Sequence, residues 1–138
     1  MTISIRAARP ADFKGVLELW QRAGIRSSVT DDMRTLKRRH LRDRDLFLVA
    51  SRGDQIVGSL IAGWDGWRGS MARLVVDPAF RRERIARRLV ERAEARLRKR
   101  GAKRIGALVF VDNTLAQTFW RAAGYLEEPT VARFVKNL

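Results

Sequence analysis

The chain has 138 residues, 46% of them hydrophobic, which is one domain's length with material for a real core and argues against an intrinsically disordered chain. Lys and Arg number 29 against 15 Asp and Glu, a formal charge of +14 that favours an anionic partner: nucleic acid, a phosphorylated ligand or a membrane surface. No cysteine is present and His40 is the one histidine, so disulfide scaffolds, thiol nucleophiles and multi-histidine metal sites are excluded.

Taken in order, Ile3, Ile5 and Ala7 alternate with polar residues and predict a half-buried strand; Met1 to Pro10 lacks the continuous apolar run of a signal peptide or membrane span. A helix is expected from Pro10, with Phe13, Val16, Leu17 and Trp20 on one face and Gly24 as its stop. A second helix is expected from Thr30, with Asp31 and Asp32 in its first turn, Met33, Leu36, His40 and Leu41 inward and Arg34, Arg38, Arg39 and Arg42 outward. Leu46 to Ala50 and Ile56 to Trp64 form a hairpin about the Arg52–Gln55 turn, and Asp65-Gly66 turns the chain into a strand from Met71 to Asp77 that Pro78 ends. The longest helix spans Arg82 to Arg100. A buried strand is expected at Ile105 to Val111, then a helix capped by Asp112 or Asn113 and running to Gly124, then a last strand at Val131 to Val135. Hairpins mixed with helical crossovers imply a mixed, mostly antiparallel sheet of six to seven strands with helices on both faces, in a single domain over residues 1–138.

Two stretches carry chemistry. In Val76-Asp77-Pro78-Ala79-Phe80-Arg81-Arg82-Glu83-Arg84-Ile85-Ala86 a buried strand breaks at proline and a basic turn opens a long amphipathic helix. The first N–H groups of such a helix lack internal partners, so the turn suits a pyrophosphate. A solvated basic helix start explains the same composition. The second stretch, Asn113-Thr114-Leu115-Ala116-Gln117-Thr118-Phe119-Trp120-Arg121-Ala122-Ala123-Gly124-Tyr125, resembles the N-x-x-A-x-x-F-Y-x-x-x-G-[YF] segment of the GNAT superfamily of N-acetyltransferases. The first is similar to that superfamily's V-x-P-x-x-[RQ]-x-x-G-x-[GA] acetyl-CoA signature, and the order of expected elements matches over nearly the whole chain.

The resemblance implies an α/β GNAT fold and an acetyl-CoA-dependent N-acetyltransferase that moves the acetyl group directly to an amine. Acetyl-CoA would be a cosubstrate, with no metal. The alternative is a catalytically degenerate GNAT domain that binds acyl-CoA as a sensor or scaffold. Carried over by position, Leu74, Val75 and Val76 would hydrogen-bond the pantetheine arm and polarise the thioester. Arg81, Arg82, Glu83, Arg84, Ile85 and Ala86 would wrap the pyrophosphate, and Asn113, Ala116 and Phe119 would line the coenzyme's other side. No catalytic residue is assigned. Arg84 stands where the family has glycine, Trp120 where many members have the tyrosine that protonates the departing thiolate, and the strand before Asn113 lacks the carboxylate some members use as base.

Trp64-Asp65-Gly66-Trp67-Arg68-Gly69 reads either as a wall of the acceptor pocket, with Asp65 attracting an amine, or as a plain turn with its tryptophans over the core edge or a homodimer contact. Tyr125 is a substitute acid or a packed residue, and His40 reads as packed. Arg84, Arg88, Arg92, Arg96 and Arg100 form a ridge that glutamates interrupt, so a nucleic-acid partner is disfavoured, as is a membrane. The expected setting is soluble and cytoplasmic.

Overall fold

The computed structural model describes residues 2–81 and 83–138, in two compact units: an N-terminal one ending at Gly106 and a second from Ala107 to Leu138.

In the first unit, β1 (Ile3–Ala7), β2 (Phe47–Arg52), β3 (Gln55–Trp64) and β4 (Gly69–Val76) pair antiparallel in sequence order. Helix α3 (Ile85–Arg100) then leads to β5 (Ile105–Ala107) beside β4, the helical crossover that a parallel neighbour requires. Five strands result among the described residues, not six to seven. The apolar run after Ile105 keeps strand structure for three residues instead of extending to Val111, and no strand forms at Val131–Val135. Val131, Phe134 and Val135 are exposed there. Alternation makes a segment compatible with a sheet, but only a neighbouring ladder makes it a strand.

Helix α1 (Phe13–Arg22), entered through a 3-10 turn at Pro10–Asp12, and helix α2 (Met33–Arg42) cover one sheet face. Phe13, Val16, Leu19, Trp20 and Leu36 pack there on Phe47, Val49, Ile56 and Val75. On α2 the inward stripe is narrower than the sequence suggests: Leu36 and His40 are buried, whereas Met33 and Leu41 are exposed. Asp32 caps α2 by accepting the Thr35 N–H, so the helix opens at Met33 and Asp31 falls in the preceding loop.

Helix α3 buries Ile85, Leu89, Val90, Ala93 and Leu97 on the other face. Its close approach depends on Gly58 of β3. A Cβ there would lie 2.9 Å from Ile85 Cγ2, 3.0 Å from Ala50 Cβ and 3.3 Å from Leu89 Cδ1.

The arginine ridge of α3 turns toward the sheet edge. Arg88 donates to the Ile3 carbonyl at 2.9 Å, Arg92 to that of Ile5 at 3.2 Å and Arg96 to that of Asp45 at 2.6 Å. Because β1 is an edge strand, its outward carbonyls lack a strand partner, and four-residue spacing on the helix sets guanidinium groups against alternate ones. Arg100 ends the row on Asp43 and Asp45. Asp12 fastens β1 to the first helix, accepting from both terminal nitrogens of Arg6 (2.6 and 3.0 Å) and from the Arg9 N–H (2.8 Å).

Gly58→Val is expected to lower stability by about 1–3 kcal/mol through overpacking under α3, read as a lower urea midpoint; an unchanged midpoint would contradict this packing. Burial pushes the Asp12 carboxyl up, but the hydrogen bonds from Arg6 and Arg9 outweigh it and hold the carboxyl below its ordinary value. A carboxyl depressed on folding adds stability above its unfolded pKa of about 3.9, and that contribution is lost as pH falls through the folded value. Asp12→Asn should therefore destabilise the protein at pH 7, with a deficit that shrinks below about pH 4 in paired denaturation curves.

Candidate acetyl-coenzyme site

Strand β4 carries the irregularity around which the site is built. Val76 faces Gly58 and Val75 faces Ser59, but the next pairs are Ile61 with Ala72 and Ala62 with Met71, so β4 holds an extra residue in a bulge. Arg73 takes the left-handed conformation there, with φ 56°. For a residue with a side chain that conformation costs about 1–2 kcal/mol. Three contacts offset the cost: the Ser59 hydroxyl donates to the Arg73 carbonyl (2.9 Å), Trp20 Nε1 donates to that hydroxyl (2.8 Å), and the Arg73 guanidinium grips Asp31. The same guanidinium lies 5.2 Å from the Trp20 ring centroid. Asp31 also accepts the Ser28 N–H, so the α1–α2 loop is tied to the bulge.

Beyond the bulge, Leu74 is half-buried, Val75 is buried and Val76 pairs with β3. On the other edge of β4, β5 enters near the start, where the Gly69 N–H donates to the Arg104 carbonyl at 3.0 Å. A three-residue strand spans about 10 Å against about 26 Å for eight residues, so the outer edge of β4 around Leu74–Val76 lies beyond the span of β5.

Asp77 ends the strand. Its carboxylate accepts from the Ala79 N–H (2.9 Å) and from Arg22 Nε (2.9 Å). After the 3-10 turn at Pro78–Phe80, Arg81 and Glu83 are exposed, and Arg82 lies outside the described residues. Arg84 is the N-cap of α3 with φ 57° and ψ 26°, the backbone shape a glycine adopts freely. Among the described residues no side chain caps this helix and its first turn holds no acid, whereas α2 is capped by Asp32. The first-turn amides, Ile85 and Ala86 among them, have no partner within the helix, and the macrodipole places partial positive charge on them. Ile85 is buried and Ala86 half-buried, which holds the helix start in place.

At the β3–β4 tip, Asp65 accepts the Trp67 and Arg68 N–H groups (2.8 and 2.7 Å), and those bonds lower its carboxyl from the ordinary value. It makes its own turn and is poorly suited to take a proton. Trp67 is exposed with Arg68 stacked on it, 4.1 Å from the centroid. A cleft of about 420 Å³ opens beside this tip, lined among others by Arg39, Arg42 and Ser70. His40 donates from Nε2 to the Ala8 carbonyl (3.0 Å) and meets Phe13 edge-on, a packed residue.

In the second unit, α4 (Thr114–Ala122) begins at Asn113, whose Oδ1 accepts the Ala116 N–H at 3.0 Å. Ala116 and Phe119 are half-buried. Trp120 is buried in edge-to-face contact with Phe119 and Tyr125, so Tyr125, the residue weighed as a substitute acid, packs against the tryptophan at the family's tyrosine position. Among the described residues, no group of three or more His, Cys, Asp or Glu could hold a metal ion, and no helix is long and apolar enough to cross a membrane.

Residues 13–125 match the family described as Acetyltransferase (GNAT) family. The chain belongs to that family. An acetyltransferase of Pectobacterium atrosepticum is 40% identical over 111 residues, covering 80% of this chain and 79% of its own. One from Sodalis glossinidius is 34% identical, covering 99% and 96%. Among solved structures, the PaiA N-acetyltransferase of Thermoplasma acidophilum in complex with coenzyme A superposes with a TM-score of 0.84 at 21% identity, covering 95% of this chain and 94% of that one. The GNAT fold thus places Leu74–Val76, Arg81 and Glu83–Ala86 on one continuous strand, turn and helix start of the first unit. The bulge set of Trp20, Asp31, Ser59 and Arg73 was not legible: Trp20 matched a core position and no glycine marked the bulge.

Arg84→Gly is expected to raise stability by up to about 1 kcal/mol by relieving the left-handed backbone, whereas Arg84→Ala gives no such gain. Equal midpoints for the two variants in thermal denaturation would contradict the strain.

Proposed function

We propose that this GNAT chain is an acetyl-CoA-dependent N-acetyltransferase, acting as one domain over residues 1–138 with acetyl-CoA as cosubstrate and an amine as acceptor. The observation that carries this is the start of α3: a left-handed N-cap at the family's glycine position, no capping side chain among the described residues, and first-turn amides that follow, after a short turn, a strand whose end lies beyond the span of β5. Amides so arranged suit the coenzyme's pyrophosphate, with Arg81 and Arg84 supplying formal charge nearby. Leu74–Val76 offer main-chain groups to the pantetheine arm, and Asn113, Ala116 and Phe119 are carried over on the motif alone.

Acetyl-CoA supplies an activated thioester. Attack by a neutral amine forms the C–N bond and breaks the C–S bond, and the proton lost from nitrogen ends on the thiol through water. Main-chain donors align the thioester and stabilise the developing oxyanion without a dedicated acid. Trp120 favours the second reading, an acyl-CoA-binding domain without turnover, because its indole N–H has no useful acidity.

Calorimetric titration with acetyl-CoA should give saturable binding that weakens with salt, and an amine panel should release coenzyme thiol faster than the protein-free control. Binding without release from any amine would move the protein to the second reading, and no binding would overturn both. Arg81→Ala should weaken binding and flatten its salt dependence. Trp120→Tyr should raise the rate if proton delivery limits it.

A further inference from the structure

The acceptor's chemistry can be read from the bulge of β4, taking acetyl transfer along that strand as given. Arg73 immediately precedes Leu74–Val76, on the face that α1 and the α1–α2 loop cover. Its Nε and Nη2 both reach Asp31 and its plane lies over Trp20, so the fork is fixed in direction while a fifth of the side chain stays exposed. Nη1 takes no part in those bonds. A guanidinium held by one carboxylate and one ring presents its remaining N–H groups to a second planar anion. The protein keeps an arginine at a φ of 56°, where glycine would be at ease.

The carboxylates of the α1–α2 loop and of the two ends of β4 already have partners. Asp31 holds Arg73 and the Ser28 N–H, Asp77 holds Arg22 and the Ala79 N–H, Asp32 caps α2 and Asp65 closes its own turn. A polyammonium acceptor approaching a chain of charge +14 would find Asp31 and Asp77 already paired with arginines, whereas an acceptor bearing an anion is attracted.

We propose that Arg73 selects the acceptor, a primary amine on a molecule that also carries a carboxylate or phosphate, which the Nη1 side of the guanidinium takes. The test compares kcat/KM for matched amines: O-phosphoethanolamine against ethanolamine, γ-aminobutyrate against n-butylamine, and spermidine as the polycation. The anion-bearing member of at least one pair should be preferred by about ten-fold or more, the scale of one charge-assisted hydrogen bond, with a preference that falls as salt rises. Which pair shows it distinguishes phosphate from carboxylate. Arg73→Gly suits the bulge backbone and should bring the preference to about unity while acetyl-CoA affinity by calorimetry stays within about two-fold. Arg73→Lys keeps the charge but loses the fork, and should retain an intermediate preference. Turnover that favours the neutral amines or spermidine, or a preference that survives both substitutions, overturns the assignment and leaves acetyl transfer standing. Bound acetyl-CoA with no thiol release from any amine overturns acetyl transfer and this assignment together.

Discussion

The bulge in β4 is the constraint on which the rest of the site depends. A regular β4 would run in register with β3, and Arg73 would have neither its left-handed backbone nor its line to Asp31. The Ser59 hydroxyl fixes the bulge by donating to the Arg73 carbonyl while accepting from the Trp20 indole, so one buried oxygen joins α1, β3 and β4. That hydroxyl is buried and satisfied on both sides, an arrangement costly to break because loss of one partner strands the other.

The second constraint is the seat of α3. Gly58 lets Ile85, the first residue of the helix, descend onto the sheet, and the arginines of its flank reach across to the backbone carbonyls of β1. Packing beneath and hydrogen bonds at the side fix where the helix begins. The uncapped amides therefore follow the end of β4 by a short turn. The strained backbone at Arg84 belongs to the same arrangement, since a bent entry exposes first-turn N–H groups that a regular N-cap side chain would occupy.

Much of this was legible in the sequence. The apolar periods of α1, α3 and α4 and the turns of the two hairpins are local signals, and they lie where expected within a few residues. The family signature located the strand, turn and helix start because Val76, Pro78, Arg81 and Ala86 keep its spacing. Tertiary choices were not legible. The bulge carries no glycine, Asp31 looked like a helix-opening acid until Asp32 proved to be the cap, and Val131–Val135 alternates without acquiring a ladder. The ridge of arginines on α3 looked like a solvated face, and only the positions of β1 and of the turn before β2 show that three of them meet carbonyls, two on β1 and one at Asp45. Part of the surplus positive charge is thus taken up by sheet-edge contacts, by ion pairs such as those of Arg6, Arg22 and Arg100 and by a few guanidinium groups beside the strand and turn, while residues such as Arg34, Arg38 and Lys99 lie exposed on helix surfaces.

Backbone amide hydrogen exchange, with and without coenzyme A, tests the central claim most directly. If the end of β4 beyond the span of β5 and the start of α3 form the coenzyme site, saturating coenzyme A should slow exchange at Leu74–Val76 and at Ile85 and Ala86, and leave the β2–β3 turn at Gly53–Asp54 unchanged. Coenzyme A that binds, yet leaves the amides of Leu74–Val76, Ile85 and Ala86 exchanging as in the free protein, would contradict it.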